Sequence, residues 1–142
     1  MEHRADFASA GLAGLAGLHV VWAAGSSWPV PDKETLSDAV IGHERFPSPT
    51  ACLAVAGVLA IGSAFLAGWP SQVPRLQRMG ALGVVAVLSL RGGLGLTGLT
   101  HIVSPGSSSS RFRALDRRLY APLCLMLAAL AVPAARRRPA PN

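Results

Sequence analysis

The distribution of charge constrains this chain more than any other feature. Lys, Arg, Asp and Glu leave four long apolar stretches between them. The first is uncharged over 7–31, with its helical part read as 7–24. The second lies between Arg45 and Arg75, with a helix read at 49–69. The third covers 79–100 and is interrupted by Arg91. The fourth, 119–135, has 17 residues and can be lengthened by the amphipathic turn before it. A helix needs roughly 20 residues, within a range of about 17–25, to cross a bilayer. The pattern predicts an all-α fold: one domain over 1–142, an integral membrane four-helix bundle. Short helical segments are expected in the loops of one side.

Composition agrees. Only 14% of the residues are charged, against about 25% in soluble domains, and the mean hydropathy is +0.41. The net charge of +6 does not form a nucleic-acid footprint. The basic residues flank apolar segments and make no stripe with interleaved aromatics. Membrane lipid is the partner they suit, and no nucleic acid is expected. Two cysteines, Cys52 and Cys124, make neither a zinc site nor a disulfide framework, and buried thiols are the expected state. No metal-ligand spacing occurs among the histidines, so no metal and no cofactor is expected.

Four spans put both termini on one side, called side A here. Side A carries Arg4, Arg75, Arg78, Arg136, Arg137 and Arg138; side B carries Lys33, Arg45, Arg111, Arg113, Arg117 and Arg118. The basic count is tied at six per side, so the positive-inside rule sets no orientation. The loops are unequal. Side A has the short turn WPSQVPRLQR, whereas side B has two long loops, one containing the hinge-like SPGSSSS. Long loops with helical pieces more often build sites than simple connections.

The polar groups gather toward side B. His19 and Arg91 each lie twelve residues into their segments, about 18 Å from side A at 1.5 Å per residue. A guanidinium at such depth costs at least about 2.5–3.5 kcal/mol and calls for a partner. In RFRALDRRLYAPLC, drawn as a regular helix, Phe112, Leu115, Leu119 and Tyr120 share one face. Asp116 lies in the middle of that face and four arginines lie outside it. A carboxylate among apolar groups must pair, take a proton or face a wet cavity. Arg91 is its expected partner across the bundle, with His19 nearby. Trp22, Trp28, Phe46, Phe112 and Tyr120 form an aromatic belt at the same level. Gly11, Gly14 and Gly17 are read as a small-residue stripe for close helix approach.

LHVVWAAGSSWP at 18–29, the isolated Arg91 and RFRALDRRLYAPLCL at 111–125 resemble a bacterial family of small four-helix membrane proteins of unknown function. The shared patterns are LHxxWAxG ending the first span and FxxLDxxxYxPLCL entering the last. The resemblance implies four spans and picks out His19, Trp22, Gly25, Arg91, Phe112, Asp116, Tyr120, Pro122 and Cys124. It implies no activity. HIVSPGSSSS at 101–110 departs from the family's more ordered, aromatic segment there.

Two functions are expected. The first is a membrane enzyme that cyclises or isomerises a lipophilic, isoprenoid-like substrate, in the manner of a terpene cyclase. Asp116, kept protonated by desolvation, would be the acid, and His19 would orient the substrate or accept the final proton. Arg91 completes the catalytic set. Trp22, Trp28, Phe112, Tyr120 and Cys124 would bind substrate, the aromatic faces stabilising developing positive charge. The second is a non-catalytic lipid- or partner-binding subunit in which Arg91 and Asp116 are architectural. The cell membrane is the expected location in both. A lipophilic small molecule is the expected ligand, and assembly into a homo-oligomer is left open.

Overall fold

Four long helices cover the four apolar stretches in the computed structural model, which describes residues 2–43, 46–102, 106 and 109–136. Arg45, most of the SPGSSSS stretch, Arg137 and Arg138 lie outside the described residues. The first helix, α1, is Glu2–Ala23; a short α2, Lys33–Val40, lies in the first side-B loop. Helix α3 is Pro49–Ala67 and α4 is Pro74–Thr97. The second side-B loop holds a 3-10 turn, Thr100–Ile102, and α5, Ser110–Leu115. A π-helical segment, Asp116–Tyr120, then runs into α6, Ala121–Ala135. The described residues are otherwise turns and loops, with no strand.

Local chemistry sets the ends. Ser48 accepts the Ala51 N–H at 3.2 Å, and Pro49 occupies the first turn of α3, where no N–H is needed. Pro74 starts α4 in the same way. That start lies five residues before the expected 79, so Arg75 and Arg78 belong to the helix. Gly98, at φ 76°, ends α4 in the left-handed conformation. The last stretch is helical without a break over Ser110–Ala135, 26 residues, which removes the shortness of the isolated 17.

All four long helices are long and apolar enough to cross a membrane. Their outward faces carry Val58, Ile61, Met79, Val87 and Leu90, all more than half exposed. Water would penalise that surface heavily, and a lipid solvent does not. This is a membrane protein.

Within the bundle, α1 packs chiefly on α3, and α4 on α6. Ala5, Ala8, Leu12 and Ala16 form the buried stripe of α1. The expected glycine stripe is only partly used. A Cβ on Gly11 would come within 2.8 Å of Leu127, but one on Gly14 or Gly17 meets nothing within 4 Å. The buried stripe of α1 runs through Ala8, Leu12 and Ala16, and Gly14 and Gly17 fall beside it on exposed positions. The α1–α3 contact is also polar. Ser9 donates to the Ser63 carbonyl, and Ser63 to the Ser9 carbonyl, both at 2.9 Å. At side A, Gln77 donates to the Phe65 carbonyl at 3.0 Å and Arg78 to the Ala135 carbonyl at 3.3 Å. Two charged or polar residues of the first α4 turns thus tie down the ends of α3 and α6.

Candidate functional site

The site grows from a local conflict in the sequence. Pro122 has no N–H, and its ring crowds the carbonyl four residues back. The chain answers with a wide turn just before it. Ala121 N–H bonds the Asp116 carbonyl, five residues back, and Asp116–Tyr120 becomes a π segment. Such turns shift every following side chain relative to a regular helix. Phe112 and Asp116 are buried as expected, but Leu119 is 52% exposed and faces outward. The regular-helix face drawn from the sequence therefore breaks at the π turn.

Asp116 is 2% exposed. Arg91 Nη2 donates to its Oδ1 at 2.7 Å, and Thr100 Oγ1 donates to its Oδ2. The expected Arg91 partnership is present, and Thr100 joins it. Six residues separate Arg91 from Thr97, the end of α4, or about 9 Å of helix. The pair therefore sits near the side-B end rather than at the midplane. Arg91 Nη1 is buried and has no hydrogen-bond partner among the described residues.

Glycines make room for these charges. A Cβ on Gly92 would come within 2.6 Å of Leu125, and one on Gly95 within 2.6 Å of the Ala121 side chain. The Gly95 Cβ would also lie 3.0 Å from Arg91 Nη1 and 3.1 Å from Asp116 Oδ1. One on Gly98 would approach Arg117 Nη2 to 2.5 Å. Gly92, Gly95 and Gly98 thus form a three-residue-spaced track on α4 along which α6, the ion pair and Arg117 lie. The glycine-rich stretch after Arg91 is helical to Thr97, and its glycines serve close approach.

A cleft of about 280 Å³ opens beside the pair. Gly95, Gly98 and Thr100 form its α4 side, and Asp116 and Phe112 the opposite side. His101, Arg113 and Arg117 complete the lining. Thr100, Gly95, Gly98, Arg113 and Arg117 were not among the sequence candidates. The signal for the glycines was their spacing after Arg91; Thr100 had none, because the turn that swings it toward Asp116 is tertiary.

The other candidates form a second cluster. His19 Nδ1 lies 2.8 Å from the Leu15 carbonyl of its own helix, and its ring sits 4.9 Å from Trp22. Trp22 Nε1 donates to the Trp28 carbonyl at 2.7 Å and meets Phe46 edge-on. Trp22, Leu36 and Cys52 are the buried centre of this cluster. Trp28 is 66% exposed. His19, Trp22 and Trp28 do not line the cleft; His19 contacts Leu15 and Trp22 of its own helix, and Asp116 is held by Arg91 and Thr100. The reason is pairing: α1 lies chiefly against α3, whereas Asp116 lies against α4.

The two clusters meet through α2. Tyr120 donates to the Ala39 carbonyl at 3.0 Å, and Ser109 to the Asp38 carbonyl at 3.3 Å. Gly42, at φ 71°, rests on Phe112, where a Cβ would lie 2.8 Å from that side chain. The family pattern can be read in these terms. Gly25, at φ 100°, turns the chain after α1, Trp22 pins the loop, and Phe112 and Tyr120 seat α2. Cys52 is a buried free thiol, and Cys124 a half-buried one. Among the described residues no three His, Cys, Asp or Glu side chains gather as metal ligands.

A family model described as a protein of unknown function, DUF3995, matches residues 12–131. The chain belongs to that family. The match takes in both motifs, Arg91 and every residue of the cleft. No curated protein matches the chain, and no solved structure matches it.

Proposed function

We propose that this DUF3995 member is a multi-pass cell-membrane subunit that binds the polar end of a lipophilic molecule in the cleft beside Asp116. The carrying observation is the commitment of both Asp116 oxygens. Each accepts a hydrogen bond, one from Arg91 and one from Thr100. A general acid must instead donate from one of those oxygens. The volume, about 280 Å³, lies just below the range of about 300–1,000 Å³ for sites that enclose a drug-sized molecule. It suits a headgroup with the chain left in lipid. Leu96, Leu99 and Ile102, next in sequence to lining residues, are exposed apolar groups against which a chain can lie. Native mass spectrometry of the detergent-purified protein titrated with farnesol tests this. One equivalent should bind wild type, and His101→Trp, which puts a bulky ring at the cleft and leaves both members of the ion pair unsubstituted, should lose it. Undiminished binding by His101→Trp would sink the reading.

The second reading is acid-initiated cyclisation or isomerisation of an isoprenoid-like substrate. What favours it is the position of a buried carboxyl on the cleft wall, within a π turn of the kind frequent at functional sites. The reading needs the Thr100 bond reversed, which is open to a hydroxyl because it can accept as well as donate. The proton would pass from Asp116 to a substrate alkene or epoxide. Incubating proteoliposomes with farnesyl epoxide and analysing the products by gas chromatography checks this. No product above protein-free liposomes removes it; product lost in a folded Asp116→Asn variant supports it.

A further inference from the structure

We infer that the cleft recognises a phosphate group, carried by a lipid, through Arg113 and Arg117. The inference rests on the lipid-binding reading and names the chemistry of the headgroup.

Charge accounting carries it. Asp116 is the one carboxylate in the lining, and Arg91 and Thr100 already hold it. The ion pairs among the described residues are His3 with Asp6 and Arg91 with Asp116. Among the described residues, Arg113 and Arg117 therefore line the cleft with no carboxylate paired to them. Two guanidinium side chains border one small volume. Alongside lies a third unused donor, Arg91 Nη1, packed at the lining residue Gly95. Such a place attracts an anion.

Position separates this from general basic decoration of a membrane boundary. Arg111 and Arg118 belong to the same segment and are also exposed, yet neither lines the cleft. Arg117 uses room the fold leaves: its Nη2 lies 2.5 Å from where a Cβ on Gly98 would be. The bare backbone there lets the guanidinium lie against the end of α4. Planar guanidiniums bind phosphate oxygens in paired hydrogen bonds, which favours phosphate over a point-like anion. Phosphate on a lipid and inorganic phosphate share this chemistry, and the exposed apolar residues beside the cleft favour the lipid.

The experiment uses full-length protein in a neutral detergent and measures affinity for dodecyl phosphate by native mass spectrometry. Two variants of equal charge are compared, Arg113→Gln/Arg117→Gln and Arg111→Gln/Arg118→Gln, with folding checked by circular dichroism. The first should weaken binding by about tenfold or more per arginine, and the second by less than about threefold. Arg113→Lys/Arg117→Lys should fall between wild type and the glutamine pair. Competition by inorganic phosphate at concentrations comparable to dodecyl phosphate would assign the site to free phosphate; competition only at about 100-fold excess supports the lipid. Equal losses in both glutamine variants would show diffuse surface charge and overturn the inference. Farnesol binding retained with no preference for dodecyl phosphate would overturn it while leaving the lipid reading intact. Binding of neither amphiphile would overturn both.

Discussion

Arg91 Nη2 lies 2.7 Å from Asp116 Oδ1, so one hydrogen bond ties the end of α4 to the π turn that opens the last span. The two side chains differ in exposure, 30% for Arg91 and 3% for Asp116. Removing the arginine strands the more deeply buried charge. Breaking a buried pair from one side costs about 3–5 kcal/mol, and the partial exposure of Arg91 brings this to roughly 2–4 kcal/mol. Arg91→Met and Asp116→Leu should each lose that much in detergent unfolding. The double variant should lose clearly less than their sum, because no charge is then left alone. Additive losses would show that the two side chains do not support each other.

The glycine track makes a contrast within one helix. Gly95→Ala puts a methyl group 2.6 Å from the Ala121 side chain and 3.0 Å from Arg91 Nη1, an overpacking of about 1–3 kcal/mol. Gly93, two residues away, has nothing within 4 Å. Gly93→Ala should stabilise by about 0.4–1 kcal/mol by restricting the unfolded chain. Thermal melts of the two variants should move in opposite directions.

Ser9 and Ser63 exchange hydrogen bonds across α1 and α3. Interhelical bonds of this kind average about 0.6 kcal/mol in membrane proteins. Ser9→Ala and Ser63→Ala should therefore each cost roughly 0.6–1.2 kcal/mol. The double variant should cost about the sum of the two, since each serine donates to a backbone carbonyl that survives replacement of the other. A large coupling energy in the double-mutant cycle would contradict two separate bonds to carbonyls.

Acid should loosen α2 first. Asp32 caps that helix, accepting the Thr35 N–H at 2.7 Å and the Thr35 hydroxyl at 3.1 Å. These bonds, the backbone one foremost, hold its carboxyl below the usual carboxylate value. A lowered folded pKa means the cap contributes fully above the ordinary value of about 3.9 and fades as pH falls through the folded value. Protection of the Leu36 and Ser37 amides, relative to intrinsic exchange at the same pH, should fall below about pH 4 in wild type. Asp32→Asn, whose side chain still caps but does not titrate, should lack that step. An identical acid response in both would exclude Asp32 as its source.

Four membrane helices were legible in the sequence because lipid imposes a length and a polarity that no local detail overrides. The isolated Arg91 and the inward Asp116 were legible for the same reason: charge inside a bilayer needs a partner, and each was the other's nearest opposite. The start of α3 at Pro49 was legible too, whereas α4 begins at Pro74, five residues before the start read at 79, because the charges of Arg75 and Arg78 make the first turns of the helix look like loop. The π turn before Pro122 has a local cause, the missing N–H, but a regular-helix drawing does not contain it, and Leu119 is exposed where that drawing turns it inward. Tertiary structure alone decided the rest. It turned Thr100 onto Asp116, because a 3-10 turn after Gly98 has no periodic signature. It packed α1 chiefly on α3 and α4 on α6, and so left His19 out of the lining of the cleft that Asp116 shares. It used Gly95 and Gly98 as clearances for guanidiniums, an identity that spacing permits but only a neighbouring helix can require.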